Sequence, residues 1–480
     1  MAGSLSEDLL GLIIEALESS LHESPTRDLL SCCLVGKCFV QPCQKALFRS
    51  VDVCLIPTTL WEGGVISTRH GRIVLDDYKS YPQTLSFVRA VNSSPHLARY
   101  VRKVTFWIPW NQKKPTDFTH DGGLDEVGRA LSALEMVSEL KLTTMRSRHP
   151  MASPGMHRAS YELCIPNALK TVFVSMLTGT KLKSFTLDKI DAFPGHLLLS
   201  AHQLETLRLA GHLTFTQDDD ALEALRVKDT PAGHLKSLVF SGSSVINDLF
   251  RVAAKIGRQR GLQLRRIKHL EIGCLGLETN HPKCDPLEVL DCLHSLRAAI
   301  VTTFTSQHTT SWPLGNLNPK SLATLSNLSL CLIHLVSSEG GSAQKTITNP
   351  YLFLCDSFLG QLHNLDILDL EIHFKQYHGL LSQSYGSQWS RLVEVLSVPG
   401  AFPQLKRVGV AITISMEDLS MGRSPWPTEA QLQQAEELDR SLKTLVYASQ
   451  LQSLHDLKIG GVPIEFSFTT SITTKPRVWT

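Results

Sequence analysis

The 480-residue sequence has no dominant charge: 47 Lys and Arg stand against 45 Asp and Glu, a formal net charge of +2. No global field draws such a chain to nucleic acid or to an anionic membrane, so neither is expected as a partner. It also lacks any run of 18 uninterrupted apolar residues, and Glu7 and Asp8 stand where a secretory signal carries Lys or Arg. The expected location is intracellular, cytoplasmic or nuclear. Missing too is any Cys-x-x-Cys pair, although there are 11 cysteines and Cys32, Cys33, Cys38, Cys43 and Cys54 crowd into one short segment. That spacing suits neither a zinc ribbon nor a thioredoxin-type site, and the thiols read as small buried apolar residues.

Recognisable catalytic patterns are wanting as well. There is no nucleophile elbow, no His-Glu-x-x-His and no paired-carboxylate arrangement. Gly340-Gly341-Ser342-Ala343-Gln344-Lys345-Thr346 has Gln344 and Glu339 where a phosphate loop needs glycines. His281, Cys284, Cys292 and His294 match no zinc module, and the last two are expected within a helix over Pro286–Thr303. Asp218-Asp219-Asp220 reads as acids at a helix start. The expectation is therefore a non-enzyme with no catalytic residues, no cofactor and no metal.

What is present is core. Hydrophobic residues make up 42% and charged residues 19%, the balance of a folded chain. A single core rarely extends past ~250–300 residues, so several domains or a repeat array are expected. The first unit runs from Leu5 to about Val53. Ser6 is placed to cap a helix carrying Leu9, Leu10, Ile13, Ile14 and Leu17 at helical spacing. Thr26 is placed to cap a second helix with Leu29, Leu30, Leu34 and Val35, and Pro42 suits the first turn of a third, through Leu47 and Phe48.

The run Leu5-Ser6-Glu7-Asp8-Leu9-Leu10, followed by Asp28-Leu29-Leu30, Leu34-Val35-Gly36-Lys37-Cys38-Phe39 and Leu47-Phe48-Arg49-Ser50-Val51, resembles an F-box. The resemblance covers roughly the first 50 residues, with Ser6 where that family usually has Pro and a longer loop from Glu18 to Arg27. It implies that Leu5, Leu9, Leu10, Ile13, Leu17, Leu29, Leu30, Val35 and Phe39 bind the Skp-type adaptor of a cullin–RING ubiquitin ligase.

From about residue 100 an apolar-x-x-apolar-x-apolar pattern recurs ten times, with leading residues Val101, Val137, Leu182, Leu204, Leu235, Ile267, Leu325, Leu365, Leu405 and Leu454. Helix-like segments lie between copies, among them Asp125–Val137, Asn167–Leu177, Ser244–Ile256, Trp389–Leu396 and Glu429–Tyr447. Strand followed by helix, repeated, implies parallel neighbours. The copies advance by 22 to 58 positions, whereas a leucine-rich repeat advances by about 20–29 with Asn or Cys at a fixed place. The predicted fold is thus α/β: a small three-helix F-box-like module (1–53), a connecting region (54–100), an irregular leucine-rich-repeat-like solenoid with a parallel sheet (101–464) and a loosely held Thr- and Ser-rich tail (465–480).

Arg251 to Lys268 holds seven basic residues and no acidic one, and Arg258, Arg260, Arg265 and Arg266 form a candidate acidic-ligand patch. Two functions fit. In one, the chain is the substrate-recognition subunit of an SCF-type ubiquitin ligase, holding an unknown protein substrate. In the other it is a non-catalytic leucine-rich-repeat scaffold whose N-terminal helices only cap the solenoid.

Overall fold

A computed structural model of the chain describes residues 7–19, 25–54, 65–68, 71–74, 80–108, 123–144, 159–211, 213–216, 218–227, 233–241, 248–253, 262–276, 286–303, 317–335, 358–375, 389–417, 429–459 and 461–475. It is a mixed α/β structure with a parallel sheet of twelve strands that does not close on itself, and the strand order is the chain order. Among the described residues no helix is long and apolar enough to cross a membrane. The chain divides into two compact units, Met1–His234 with Val252–Leu262 and Leu235–Arg251 with Gln263–Thr480.

The first unit opens with three helices, α1 (Glu7–Ser19), α2 (Pro25–Val35) and α3 (Lys37–Arg49). Their core is Ile14, Leu29 and Cys43, ringed by Leu17, Cys32, Cys33, Phe39, Ala46 and Leu47. Two boundaries differ from expectation. Helix α2 starts at Pro25, one residue ahead of Thr26; a proline in the first turn costs nothing because its missing N–H would have no intrahelical partner. Helix α3 starts at Lys37 after an extended Gly36, which leaves Pro42 inside the helix rather than at its start. Tertiary packing overrides the local break, since Phe39 and Cys43 on either side of Pro42 both join the core.

Five strands follow: β1 (Ser50–Cys54), β2 (Lys103–Ile108), β3 (Glu139–Thr144), β4 (Ser184–Asp188) and β5 (Thr206–Ala210). All pair in parallel with in-step registers. Alternation places Val51, Val53, Val104, Phe106, Leu140, Leu142, Phe185, Leu187, Leu207 and Leu209 on one buried face. Helices α4 (Ser80–Ser93), α5 (Gly123–Ser132) and α6 (Asn167–Thr178) supply the opposing side chains; Phe173 of α6 meets Phe106 edge to face at 4.5 Å. The helical module therefore ends at Arg49, because Val51 and Val53 belong to the sheet. The connecting region is itself a repeat: α4 packs on β1, and the Thr84 hydroxyl accepts from Cys54 N at 2.8 Å. Near the end of this unit Asp218 caps α7 (Asp219–Val227) by accepting from Ala221 N at 3.0 Å, as the acidic run predicted.

The second unit carries β6 (Ser237–Phe240), β7 (His269–Gly276), β8 (Ser295–Thr303), β9 (Asn327–Leu335), β10 (Ile367–Lys375), β11 (Arg407–Glu417) and β12 (Glu465–Lys475), again all parallel. Helices α8 (Trp389–Leu396) and α9 (Glu429–Leu442) lie between strands, with a π-helical stretch, Lys443–Leu451, after α9. Three expectations are corrected. The span Pro286–Thr303 is one helical turn, Pro286–Val289, and then strand β8; Leu293-x-x-Leu296-x-Ala298 is the strand pattern with a methyl in its last place. The copy led by Leu454 makes only a two-residue antiparallel pairing outside the main sheet. From Glu465 to Lys475 the expected tail is a strand, pairing with β11 over eleven residues, Phe466 opposite Val408 and Phe468 opposite Val410, while 476–480 lie outside the described residues. The Thr and Ile residues of this segment are strand formers, and Ile472 shares the face of Phe466 and Phe468.

A repeated device sets the start of most strands. The carbonyl before one strand accepts both N–H groups that open the next: Arg102 O takes Ser138 and Glu139, and Ser138 O takes Lys183 and Ser184. Lys236, Lys268, His294, Ser326 and Asp366 do the same in the second unit. A buried hydroxyl also ties neighbouring segments together. Ser321, fully buried, accepts from Leu293 N at 3.1 Å and donates to Leu290 O at 2.8 Å. Ser321→Ala is expected to lower stability by about 1–3 kcal/mol, because two buried backbone groups lose their partner; a chemical denaturation midpoint unchanged from wild type would refute this.

Candidate functional site

Helices α1 and α2 keep some apolar residues in and turn others out. Leu10 and Leu29 are 4% exposed, whereas Leu9, Leu12, Leu30, Leu34 and Val35 are 44%, 63%, 53%, 89% and 77% exposed. Of the nine most exposed large apolar residues among those described, five are therefore on these two helices, a concentration that scattered surface leucines do not explain. On α1, Leu9 and Leu12 are three apart, and on α2, Leu30 and Leu34 are four apart, so each pair shares one helix face. Of the residues expected to meet an adaptor, Leu9, Leu30 and Val35 are thus outward, Leu10 and Leu29 are core, Ile13, Leu17 and Phe39 are half-buried, and Leu5 lies outside the described residues. Sequence reasoning left out Leu12 and Leu34. Both follow from the helical spacing once the buried face is fixed by Ile14 and Leu29.

The cysteines of this module divide by burial. Cys43 and Cys54 are buried as expected, Cys32 and Cys33 are half-buried, and Cys38 is exposed, contrary to expectation. Burial, reinforced by Cys33 and Cys32, pushes the Cys43 thiol up to about 12, so it holds its proton at neutral pH and is a poor nucleophile. Iodoacetamide is expected to label Cys38 in the native protein and Cys43 only in denaturant, read by peptide mass spectrometry. Native labelling of Cys43 would contradict the packing.

A second feature of the first unit is a cleft of about 670 Å³ where the end of α3 meets the starts of β2 and β3. Lys45, Arg49, Arg99, Arg102 and Lys103 line it with a single carboxylate, Glu139, which pairs with Lys103 at 3.7 Å. Five cations against one acid give it a positive field suited to anions. The sequence hid it because three separate segments contribute, although Arg99, Arg102 and Lys103 are close in the chain. The basic patch foreseen from sequence is less concentrated. Arg258 and Arg260 lie outside the described residues, while Arg265 is half-buried and Arg266 exposed in the turn before β7. Arg266 and Lys268 act on Cys292, whose thiol is raised by burial and by Asp291 and lowered by these two cations. Cys292 and His294 lie in the loop before β8 rather than in the helix expected there.

No protein-family model and no curated protein matches this chain. Two surfaces of the first unit stand out by their own geometry: an exposed apolar one on two helices, and a basic one beside the first strands.

Proposed function

We propose that the chain is a substrate-recruiting subunit of an SCF-type cullin–RING ubiquitin ligase. Helices α1 to α3 act as an F-box docking the Skp-type adaptor, and the strand–helix array acts as an irregular leucine-rich-repeat-like solenoid that holds a protein substrate. The observation that carries this is the outward apolar set on α1 and α2. A three-helix unit with a core as small as Ile14, Leu29 and Cys43 gains little by leaving Leu12, Leu30, Leu34 and Val35 in water, whereas an adaptor's helices would cover them. The chain's own part in ubiquitin transfer would be proximity, bringing a substrate lysine to a separately bound conjugating enzyme. The eight cysteines whose side chains are described are free thiols, which fits work in the reducing cytoplasm or nucleus. The direct test is co-purification of the full chain with a Skp-type adaptor, with capture expected.

The scaffold reading has its own support, since α3 packs against the 3-10 helix Pro95–Tyr100 as a terminal cap would. It differs in what it asks of α1 and α2, whose outward leucines a cap does not use.

A further inference from the structure

Three side chains with three different donor atoms meet on one face of the sheet in the second unit. Cys331 on β9 and Glu371 on β10 stand directly opposite in the parallel register, and His373 follows Glu371 by two residues. The two-residue period sends all three to the same face, opposite to the buried Leu330, Leu332, Leu370 and Ile372. Opposed positions on neighbouring strands bring Cβ atoms within ~5 Å, a distance one cation can bridge.

The donor atoms, a thiol sulfur, a carboxylate oxygen and an imidazole nitrogen, all lie within 4.8 Å of one another. Glu371 Oε1 is already 2.5 Å from His373 Nε2. Donors around tetrahedral zinc stand ~3.5 Å apart, given bonds of about 2.0–2.3 Å, so small side-chain rotations complete the set without moving either strand. The surroundings allow this. In register, Cys331 is flanked by Ala299 of β8 and Glu371 by Ala411 of β11, whose methyl groups neither crowd the ligands nor compete as donors. His373 and Glu371 side chains are 31% and 38% exposed, which leaves an ion a path from solvent.

We propose that Cys331, Glu371 and His373 form a binding site for one zinc-class divalent cation, with its fourth coordination position open on the sheet face. A sulfur–nitrogen–oxygen set selects a borderline-soft, four-coordinate ion and disfavours Mg²⁺ and Ca²⁺, which require six or more oxygens. On binding, the Cys331 thiol gives its proton to solvent, the proton held between Glu371 Oε1 and His373 Nε2 leaves for His373 Nδ1 or solvent, and the ion takes the place of that hydrogen bond. The open position accepts water or a donor atom from a bound protein. The site stands independently of the ubiquitin-ligase reading, because none of its residues belongs to the helical module.

The test uses the full chain, stripped with chelator and titrated with Co²⁺ alone. Wild type is expected to bind one equivalent with a thiolate-to-cobalt charge-transfer band that Zn²⁺ abolishes by displacement. Cys331→Ser should lose the band while Cys292→Ser keeps it. His373→Gln and Glu371→Gln should each weaken binding by at least the ~10-fold that loss of even an outer-shell partner costs. Absence of the band in wild type at saturating Co²⁺, or its persistence in Cys331→Ser, overturns the proposal. Should Cys331→Ser fail to fold by circular dichroism, the two half-exposed positions decide: unchanged Co²⁺ affinity in both His373→Gln and Glu371→Gln overturns it equally.

Discussion

A chain carrying Leu30→Glu and Leu34→Glu is expected to keep its fold and to lose the adaptor. At 53% and 89% exposure in the free chain, two glutamates replace leucines that water already reaches, so stability should move by no more than about 0.5 kcal/mol each. In a complex the same carboxylates would be buried in an apolar contact without partners, which costs about 3 kcal/mol or more apiece, in total a loss of affinity of about ten-thousandfold or more. The neighbouring Leu29→Ala provides the contrast. Leu29 is 4% exposed and belongs to the small core, and removing it should cost about 2–5 kcal/mol, enough to melt a ~50-residue helical unit. Both variants fail to capture adaptor, but only Leu29→Ala loses helical circular dichroism and becomes protease-sensitive before Arg49. Adaptor capture undiminished in the folded double mutant would remove the docking face from the proposal. A well-folded wild type that captures none would leave the scaffold reading in front.

Truncation after Ile464 is the second large effect, and it should turn a dispersed protein into a self-associating one. The lost strand β12, the last of the sheet, pairs with β11 over eleven residues, and its removal moves the open edge from a Thr- and Ser-rich strand to the more apolar β11, whose N–H and C=O groups from Arg407 to Glu417 lose their partners. Such an edge is a template for other chains. The same cut removes the aromatic layer in which Tyr447 stacks on Phe468 at 5.6 Å and His455 meets Phe466 edge to face at 5.0 Å, so the π-helical stretch after α9 loses its seat. Size-exclusion chromatography with light scattering should show large species at concentrations where the full chain elutes as one defined peak. An unchanged elution and melting temperature in the truncated chain would show that β12 contributes little.

These results bear on how far the residues alone reveal the structure. Nine of the ten repeated patterns, those led by Val101 through Leu405, are main-sheet strands, because two inward apolar residues at period two, preceded by a third, mark a strand buried on one face; the copy led by Leu454 shows the same trace outside the sheet. Of the three missed strands, β8 has Ala298 in place of a large residue and β12 has Pro463 where the leading leucine stands, whereas β1 carries the whole trace, Phe48-x-x-Val51-x-Val53, and is hidden because its leading residue lies within α3. Recognising Leu293 divides the longest interval, from 267 to 325, into steps of 26 and 32, close to the others. At the docking face the stripe was legible and its sides were not: Leu29 and Leu30 are adjacent leucines with opposite fates, and only packing against Ile14 and Cys43 distinguishes them. The Cys331, Glu371 and His373 group was invisible for another reason. Its members come from two strands forty positions apart, and nothing in a linear spacing announces the register that aligns them.

The shared carbonyl at the start of most strands has a consequence for how such a chain can change. Because Lys268 O fixes where β8 begins, and His294 O where β9 begins, each strand is phased by its predecessor and not by the length of chain between them. Added residues in a connecting segment are then absorbed on the spot, at a closure cost of only about 0.6 kcal/mol for each doubling of loop length. Insertions and deletions between strands are accordingly the mutations this architecture tolerates best, and a one-residue deletion within 293–296 the kind it tolerates worst, since that shifts Leu296 and Ala298 to the solvent face. Grafting loops of new length and composition between strands is the change that should disturb the sheet least.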